Sequence, residues 1–199
     1  MRHKGVNKEE TRQKVLDAAS RNFRKHGFAG IGVDGLAKSA GVTSGAIYSH
    51  FGSKDGAFSQ ALAIGLDEVI ENLPKFQQDH GTEWVKAFAD YYMSSAHRQD
   101  LECGCAMATL TPEVVRFGPQ IQSEYEHKMK KIIDSAARGL AGTSEQERRT
   151  RATAMLSTLI GGINVSRAMA STDAADEVAE AIIASAIKTA GKARAKPLD

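Results

Sequence analysis

Residues 28–58 read FAGIGVDGLAKSAGVTSGAIYSHFGSKDGAF, and the fold prediction starts from this stretch. It holds two short segments with apolar residues at helical spacing, 33–40 and 44–50, on either side of Gly41. Glycine readily adopts the left-handed backbone conformation that a tight turn between two helices needs. Two short helices joined by such a turn have the length of a helix-turn-helix.

The second of these helices has two different faces. Ile47 and Phe51 lie four residues apart, so they share one face and can pack against Leu36 of the first helix. The other positions carry small or polar groups, namely Ser44, Gly45, Ala46, Tyr48, Ser49 and His50. A surface of this kind can enter a DNA major groove with its N-terminal end against base edges. The exposed N–H groups at that end also suit a phosphate.

The charge distribution separates the first 60 residues from the rest of the chain. They carry ten Lys and Arg but five Asp and Glu, whereas the remaining 139 residues carry 16 basic and 19 acidic side chains. A basic N-terminal third on a mildly acidic body is typical of a protein that binds a polyanion at one end. Scatter among solvated faces gives the same count, so charge alone leaves both interpretations open.

The run from Leu36 to Phe58 resembles the DNA-binding signature of the TetR family of bacterial repressors. The positions in register are Leu36-Ala37, Ala40-Gly41-Val42-Thr43, Gly45, Ile47-Tyr48, His50-Phe51, Ser53-Lys54 and Phe58. The resemblance implies a helix-turn-helix DNA-binding domain over residues 1–53 and a helical effector-binding and dimerisation domain over residues 54–199. It also implies a ligand-responsive regulator, a repressor, that binds a palindromic double-stranded DNA operator as a homodimer and is released by a small-molecule effector.

The resemblance assigns DNA contacts residue by residue. Thr43 is expected to touch phosphate, residues 44–46 to face bases, and Lys54 to neutralise a phosphate at the start of the fourth helix. The full predicted DNA-binding set is Thr43, Ser44, Gly45, Ala46, Tyr48, Ser49, His50, Lys54 and Lys4. Three structural alternatives stay open: the Tyr48 ring can merely pack, His50 can simply finish its helix, and Lys54 can be an ordinary solvated lysine.

Two positions depart from the family pattern. Gly32 stands where the family usually has a Ser or Thr that caps the second helix and binds phosphate, and Ser44 stands where Lys is frequent. One backbone anchor is therefore expected to be weaker, or to be supplied by Arg2, His3 and Lys4.

Helical patterns extend along the whole chain, so the fold class is predicted to be all-α with about nine helices. Their approximate ranges are 7–26, 33–40, 44–50, 53–73, 82–97, 104–116, 119–138, 145–170 and 173–191. Pro74 is expected to end the fourth helix, and residues 192–199 are expected to fray. The sequence shows no membrane-spanning run and no secretory signal, which favours a cytoplasmic protein without a membrane partner.

Two apolar stripes near the C-terminus resemble the four-helix dimer interface of the family. The predicted interface residues are Leu156, Leu159, Ile160, Ile163, Val178, Ile182, Ile183 and Ile187. Gly161-Gly162 can allow close approach to a partner subunit, or it can mark a local kink. Either stripe can also be ordinary core of a single chain.

Aromatic, methionine and isolated polar residues in the middle and C-terminal parts of the chain predict an effector pocket. The candidates are Trp84, Phe88, Tyr92, His97, Cys105, Met107, Phe117, Tyr125, Met129, Asn164 and Arg167. Such residues at helical spacing also form ordinary cores, and that alternative stays open.

Cys103 and Cys105 support a second hypothesis, a thiol-based redox or electrophile sensor that uses Cys105. A thiol in the first turn of a helix has a lowered pKa, although a buried structural cysteine is the alternative. The Cys-x-Cys spacing is not that of a metal site, and no motif of an enzyme or a cofactor site is present in the sequence. Neither a cofactor nor a metal nor an enzymatic activity is predicted.

Overall fold

The computed structural model describes residues 3–198 and the side chains of residues 8–198. The described residues form α-helices and no strand, in agreement with the predicted all-α class. The helices are α1 (His3–His26), α2 (Val33–Ala40), α3 (Ser44–Phe51), α4 (Lys54–His80), α5 (Trp84–Tyr92), α6 (Ser95–Gln99), α7 (Ala106–Thr109), α8 (Thr111–Val114), α9 (Pro119–Arg138), α10 (Glu145–Arg167) and α11 (Thr172–Ala190). A 3-10 turn, Gly81–Glu83, precedes α5.

The chain forms two compact units. The first, here the N-terminal unit, contains the chain up to Gly65 together with Leu101–Tyr125, and the second, the C-terminal unit, contains Leu66–Asp100 and the chain from Glu126 onward. A domain boundary after residue 53, as the sequence suggests, stays a prediction.

The core of the N-terminal unit is built from α1, α2, α3 and the start of α4. Phe23, Leu36, Ile47 and Phe58, one from each of these helices, are fully buried. Burying a large apolar side chain stabilises a fold by about 1.5–3 kcal/mol. The helix-turn-helix is therefore held in place by the helices on either side of it.

Helix α4 corrects the prediction that Pro74 ends a helix. The helix continues through Pro74 to His80. Proline removes one backbone hydrogen bond, which costs about 3 kcal/mol in a helix interior. The next turn offsets this cost in the C-terminal unit, where Phe76 meets Phe88 edge-on at 5.5 Å and buried Gln77 donates to the Ser135 carbonyl at 2.8 Å.

Two predicted helices are each divided, so the described residues contain eleven α-helices rather than nine. The 82–97 helix breaks after Tyr92, and Ser94 begins a new one by accepting a hydrogen bond from the His97 N–H at 3.2 Å. The 104–116 helix breaks at Leu110, because Pro112 cannot donate the next hydrogen bond and is tolerated only in a first turn.

Helices α10 and α11 form an antiparallel pair in the C-terminal unit. Arg151 near the start of α10 donates to the Ala190 carbonyl at 2.7 Å, and Ser166 near its end donates to the Ala175 carbonyl at 2.8 Å. A Cβ atom at Gly162 would lie 2.5 Å from Ile182 Cγ1, so this glycine permits close approach within one chain. That corrects the prediction of close approach to a partner at Gly162.

Residues 192–198 are paired rather than frayed, which corrects a further prediction, and Asp199 lies outside the described residues. Their N–H groups donate to carbonyls at the end of α9 and just after it, from Arg194 to Gly139 at 2.8 Å and from Leu198 to Arg138 at 3.1 Å. Over residues 3–198 no helix is both long and apolar enough to span a bilayer.

Candidate nucleic-acid interface

The turn between α2 and α3 has the geometry that the sequence predicts. Gly41 has φ +66° and ψ +34°, and its N–H donates to the Lys38 carbonyl at 3.2 Å. The next N–H, of Val42, donates to the Ala37 carbonyl at 2.9 Å. These bonds satisfy the last carbonyls of α2 and turn the chain sharply into α3.

Helix α3 places its apolar and polar residues on opposite sides. Ile47 is 0% exposed and Phe51 is 7% exposed, whereas Tyr48 is 55% exposed. Ser49 is also exposed, and His50 is half-buried with its ring 6.2 Å from that of Phe51. The helix thus offers solvent an outer face whose only large side chain is a tyrosine.

Ser44 is held by an intramolecular hydrogen bond that sequence reasoning missed. Its hydroxyl donates to Asp34 Oδ1 at 2.5 Å, which joins the start of α3 to the first turn of α2. Ser44 therefore presents only oxygen lone pairs to an outside partner, and the nearby carboxylate disfavours a phosphate at this point. The sequence signal for this bond is an acid ten residues before the serine.

No neighbouring group of the N-terminal unit excludes a side chain at Gly45. A Cβ atom there would meet only Thr43 Oγ1, at 3.8 Å, and Gly45 is the exposed second residue of α3. Glycine is unfavourable in helices by about 0.5–1 kcal/mol relative to alanine. A partner that approaches the α3 backbone closely would account for this cost, since nothing within the N-terminal unit does. Gly32 is similar, with no atom within 4 Å of a Cβ and an ordinary negative φ of −87°.

Lys54 stands at the first position of α4, where the helix dipole disfavours a cation. Its Nζ lies 4.1 Å from the centroid of the Phe28 ring, and such a cation–π contact is worth about 0.5–1 kcal/mol near a surface. Phe28 in turn packs edge-on against Phe58 at 5.5 Å and Phe117 at 4.7 Å. This ring partly explains the position of Lys54 without a phosphate and was not foreseen from the sequence.

The basic residues of the N-terminal unit are not all available to a polyanion. Arg24 is 8% exposed and lies against Gly65, where a Cβ atom would come within 2.7 Å of its Nη2. Lys8, Lys14 and Lys38 are exposed. The side chain of Lys4, a predicted DNA contact, lies outside the described residues.

Seven of the predicted effector residues belong to the C-terminal unit, and some of these are in contact. Trp84, Phe88 and Tyr92 are buried along α5. The His97 ring stacks on Tyr92 at 5.2 Å and 29°, and Arg167 Nη2 donates to the His97 carbonyl at 3.0 Å. Burial, and then the charge of Arg167, lower the pKa of His97 from its ordinary value of 6.5. This group is therefore neutral at pH 7.

Two other candidates of the C-terminal unit, Asn164 and Met129, lie on α10 and α9. Asn164 is exposed and donates to the Ile160 carbonyl of its own helix at 2.9 Å. Met129 is half-buried on α9.

The other four effector candidates belong to the N-terminal unit. Phe117 stacks on Phe58 at 4.5 Å and 17°, so it forms part of an aromatic cluster in that unit. Tyr125 shares a hydrogen bond of 2.9 Å with Thr111, and burial raises the pKa of the Tyr125 hydroxyl above 10. Met107 is fully buried and Cys105 is half-buried. The predicted effector set is thus divided between the two units.

The dimer prediction needs correction at three positions. Leu156, Leu159 and Ile163 are at most 2% exposed in the single chain, so they belong to its own core and are no longer assigned to an interface. The remaining candidates are half-buried, namely Ile160, Val178, Ile182, Ile183 and Ile187. Val165 on α10 and Met169 just after it, which the sequence prediction left out, are 50% and 37% exposed.

The family and sequence comparisons agree with this geometry. A family model described as bacterial regulatory proteins of the tetR family matches residues 15–61. The transcriptional regulator AcrR of Shigella flexneri is 48% identical over 63 residues, which cover 32% of this chain and 29% of that protein. A transcriptional repressor of Streptomyces coelicolor is 25% identical over 132 residues, 66% of this chain and 68% of that protein. The chain thus spans less than a third of the Shigella relative.

Solved structures with low sequence identity share the fold. The reduced form of NemR from E. coli superposes with a TM-score of 0.74 at 18% identity, covering 92% of this chain and 98% of that one. A TetR-family regulator from Agrobacterium tumefaciens gives 0.73 at 14% identity, covering 89% and 98%. The helical fold therefore extends well beyond the 47 residues of the family model.

Proposed function

Through its N-terminal domain the chain belongs to the tetR family of bacterial regulatory proteins, and from this premise we propose that it represses transcription by binding a palindromic DNA operator as a homodimer. A small-molecule effector bound by the helical body lowers operator affinity. The compared relatives are named transcriptional regulators or repressors, which favours this function over catalysis.

The outer face of α3 carries the proposal. Its buried side fixes the helix against the rest of the N-terminal unit, while Gly45, Tyr48 and Ser49 face solvent. An α-helix presented in this way fits the major groove, where small side chains let the backbone approach and the tyrosine hydroxyl can bond a phosphate. Thr43, Ala46 and His50 flank these three residues and complete the proposed contact surface with Ser44.

The phosphate contacts are expected to be few. Lys54 is held over the Phe28 ring, and Asp34 places a negative charge beside Ser44. Both features weaken the non-specific attraction to DNA. We therefore expect exposed basic residues of α1 and α2, such as Lys14 and Lys38, to supply part of the attraction, together with Lys4.

Homodimer formation is proposed on the outer face of the α10–α11 pair. A single recognition helix reads few base pairs, so two are needed at about 34 Å on successive half-sites. Val165 near the end of α10 and Met169 just beyond it are large apolar side chains left exposed, and half-buried Ile160, Val178 and Ile183 extend the apolar surface. An interface between two copies would remove these side chains from water.

Effector binding is proposed for the C-terminal unit, near His97. A neutral imidazole stacked on Tyr92 can accept or donate one hydrogen bond, and its Nε2 is buried without a hydrogen-bond partner among the described residues. The effector acts by binding two arrangements of the dimer unequally. The alternative, a thiol sensor at Cys105, relied on a helix dipole to lower the pKa of that thiol. The helix that follows Cys105 has only four residues and supplies little dipole, so the structure does not favour this alternative.

Titration with two duplexes tests the function. One duplex carries the intergenic DNA upstream of the gene, the other a random sequence of equal length, and both are measured at several salt concentrations. We expect tight, palindrome-dependent binding to the first and weak, strongly salt-dependent binding to the second. Equal weak binding to both duplexes would overturn the proposal.

A further inference from the structure

We propose that the C-terminal unit carries a second binding site, separate from α3 and from His97, for a small organic anion with two or more carboxylate or phosphate groups. The site consists of two neighbouring cavities of about 300 Å³ and about 210 Å³. Asp134 and Arg138 of α9 line both cavities. Together the two cavities are called the cationic groove below.

The groove is lined by an excess of positive charge. Arg138, Arg148 and Arg149 line the first cavity, and Lys131 and Arg138 line the second. Against these four cations stand Asp134 and Glu145, and Asp134 is already paired with Arg149. Lys131, Arg138 and Arg148 therefore have no ion-pair partner among the described residues. Like charges held together in this way attract anions.

A buried hydroxyl gives independent support. Ser135 lines the second cavity and is only 3% exposed, yet its Oγ makes no hydrogen bond within the described part of the chain. A buried polar group without a partner costs about 1–3 kcal/mol, so such groups are rare and call for an explanation. Arg148 Nε is also buried without a partner in the same part of the chain. An anion that accepts hydrogen bonds from Ser135 and the nearby cations would satisfy the hydroxyl.

The distribution of the cations indicates more than one anionic group on the ligand. Lys131 lines only the second cavity and Arg148 only the first, while Arg138 is shared. Arginine forks bind carboxylate and phosphate oxygens in pairs. The remaining walls include apolar Ile70, Pro74, Ala137 and Leu198, which suit a short carbon skeleton between the charged groups.

Calorimetric titration of the full chain with citrate and, separately, with pyrophosphate tests the proposal, at an ionic strength kept constant with sodium chloride. We expect saturable binding of at least one probe, and the stronger of the two identifies carboxylate or phosphate as the preferred group. Lys131→Gln and Arg138→Gln should each weaken that binding by about tenfold or more. Lys130→Gln is the matched control, because Lys130 is exposed, is paired with Glu126 and lines neither cavity.

Ser135→Ala separates binding from folding. Removing an unsatisfied buried hydroxyl should leave the thermal midpoint of the free protein equal or higher, while the anion binds more weakly. Three results would overturn the proposal. These are no saturable binding of either probe up to about 10 mM, equal losses in Lys130→Gln and Arg138→Gln, or binding that all three groove variants leave unchanged.

Discussion

Gly45 allows stability and DNA binding to be separated in one position. In Gly45→Ala the new methyl group meets only Thr43 Oγ1 at 3.8 Å, so it introduces no clash. Alanine is favoured over glycine in a helix by about 0.5–1 kcal/mol. For a protein of this size we expect the thermal midpoint to rise by about 1–4 °C. The larger Gly45→Leu should keep the fold while its side chain obstructs the groove, lowering operator affinity by about tenfold or more.

Gly41→Ala is the control for this series. No atom lies within 4 Å of its Cβ position, so a methyl group introduces no clash there, but Gly41 has φ +66°. A left-handed conformation costs a non-glycine residue about 1–2 kcal/mol, so the midpoint should fall by about 2–8 °C. Circular dichroism at the helical band measures the midpoints, and fluorescence anisotropy with a labelled operator measures affinity. A lower midpoint in Gly45→Ala, or wild-type operator affinity in Gly45→Leu, would refute this role of Gly45.

Three further predictions concern the C-terminal unit. The pKa of His97 is lowered in the folded state, so its contribution to stability is fully present above the unfolded pKa of 6.5 and is lost as the pH falls below it. Between about pH 7.5 and 5.5 the thermal midpoint should therefore decline less in His97→Phe than in the wild type. An equal decline in both proteins would argue against a lowered His97 pKa. Trp84→Phe removes the 2.9 Å bond to the Gly139 carbonyl, which still accepts from the Arg194 N–H, and should lower the free energy of unfolding in denaturant by about 0.5–1.5 kcal/mol. An unchanged free energy of unfolding would mean that the indole hydrogen bond makes no net contribution. Val165→Glu should give monomers in light scattering, because it places a charge in the proposed dimer interface. Leu159→Ala should instead lower the free energy of unfolding by about 2–5 kcal/mol and leave the dimer intact. A Leu159→Ala variant that is folded but monomeric would show that Leu159 belongs to the interface.

The sequence predicts the helix-turn-helix closely because its signals are local. The range predicted for α2 is the observed one, since apolar spacing and Gly41 act within a few residues. The wrong predictions concern positions where contacts with residues distant in the sequence determine the local structure. Pro74 stays inside α4 because Phe76 and Gln77 gain contacts more than ten residues away, which no local pattern shows. A breaker residue ends a helix only when tertiary packing does not offset its cost.

The candidate site divides in the same way. Buried and exposed faces of α3 follow from helical periodicity, so Ile47 and Tyr48 could be placed from sequence alone. The contacts of Lys54 with Phe28 and of Ser44 with Asp34 could not, because each joins two separate segments of the chain. The assignment of Leu159 on α10 to the dimer interface was wrong, because periodicity shows an apolar face but not whether the same chain or a second subunit covers it.

Tyr48→Ala measured beside Tyr91→Ala tests most directly whether the outer face of α3 binds DNA. Tyr48 and Tyr91 are 55% and 51% exposed, so truncation removes a similar surface tyrosine from each of the two units. Operator affinity by fluorescence anisotropy should fall by about tenfold or more in Tyr48→Ala and stay within about twofold of wild type in Tyr91→Ala. Equal affinities in the two variants, or a loss confined to Tyr91→Ala, would contradict the account.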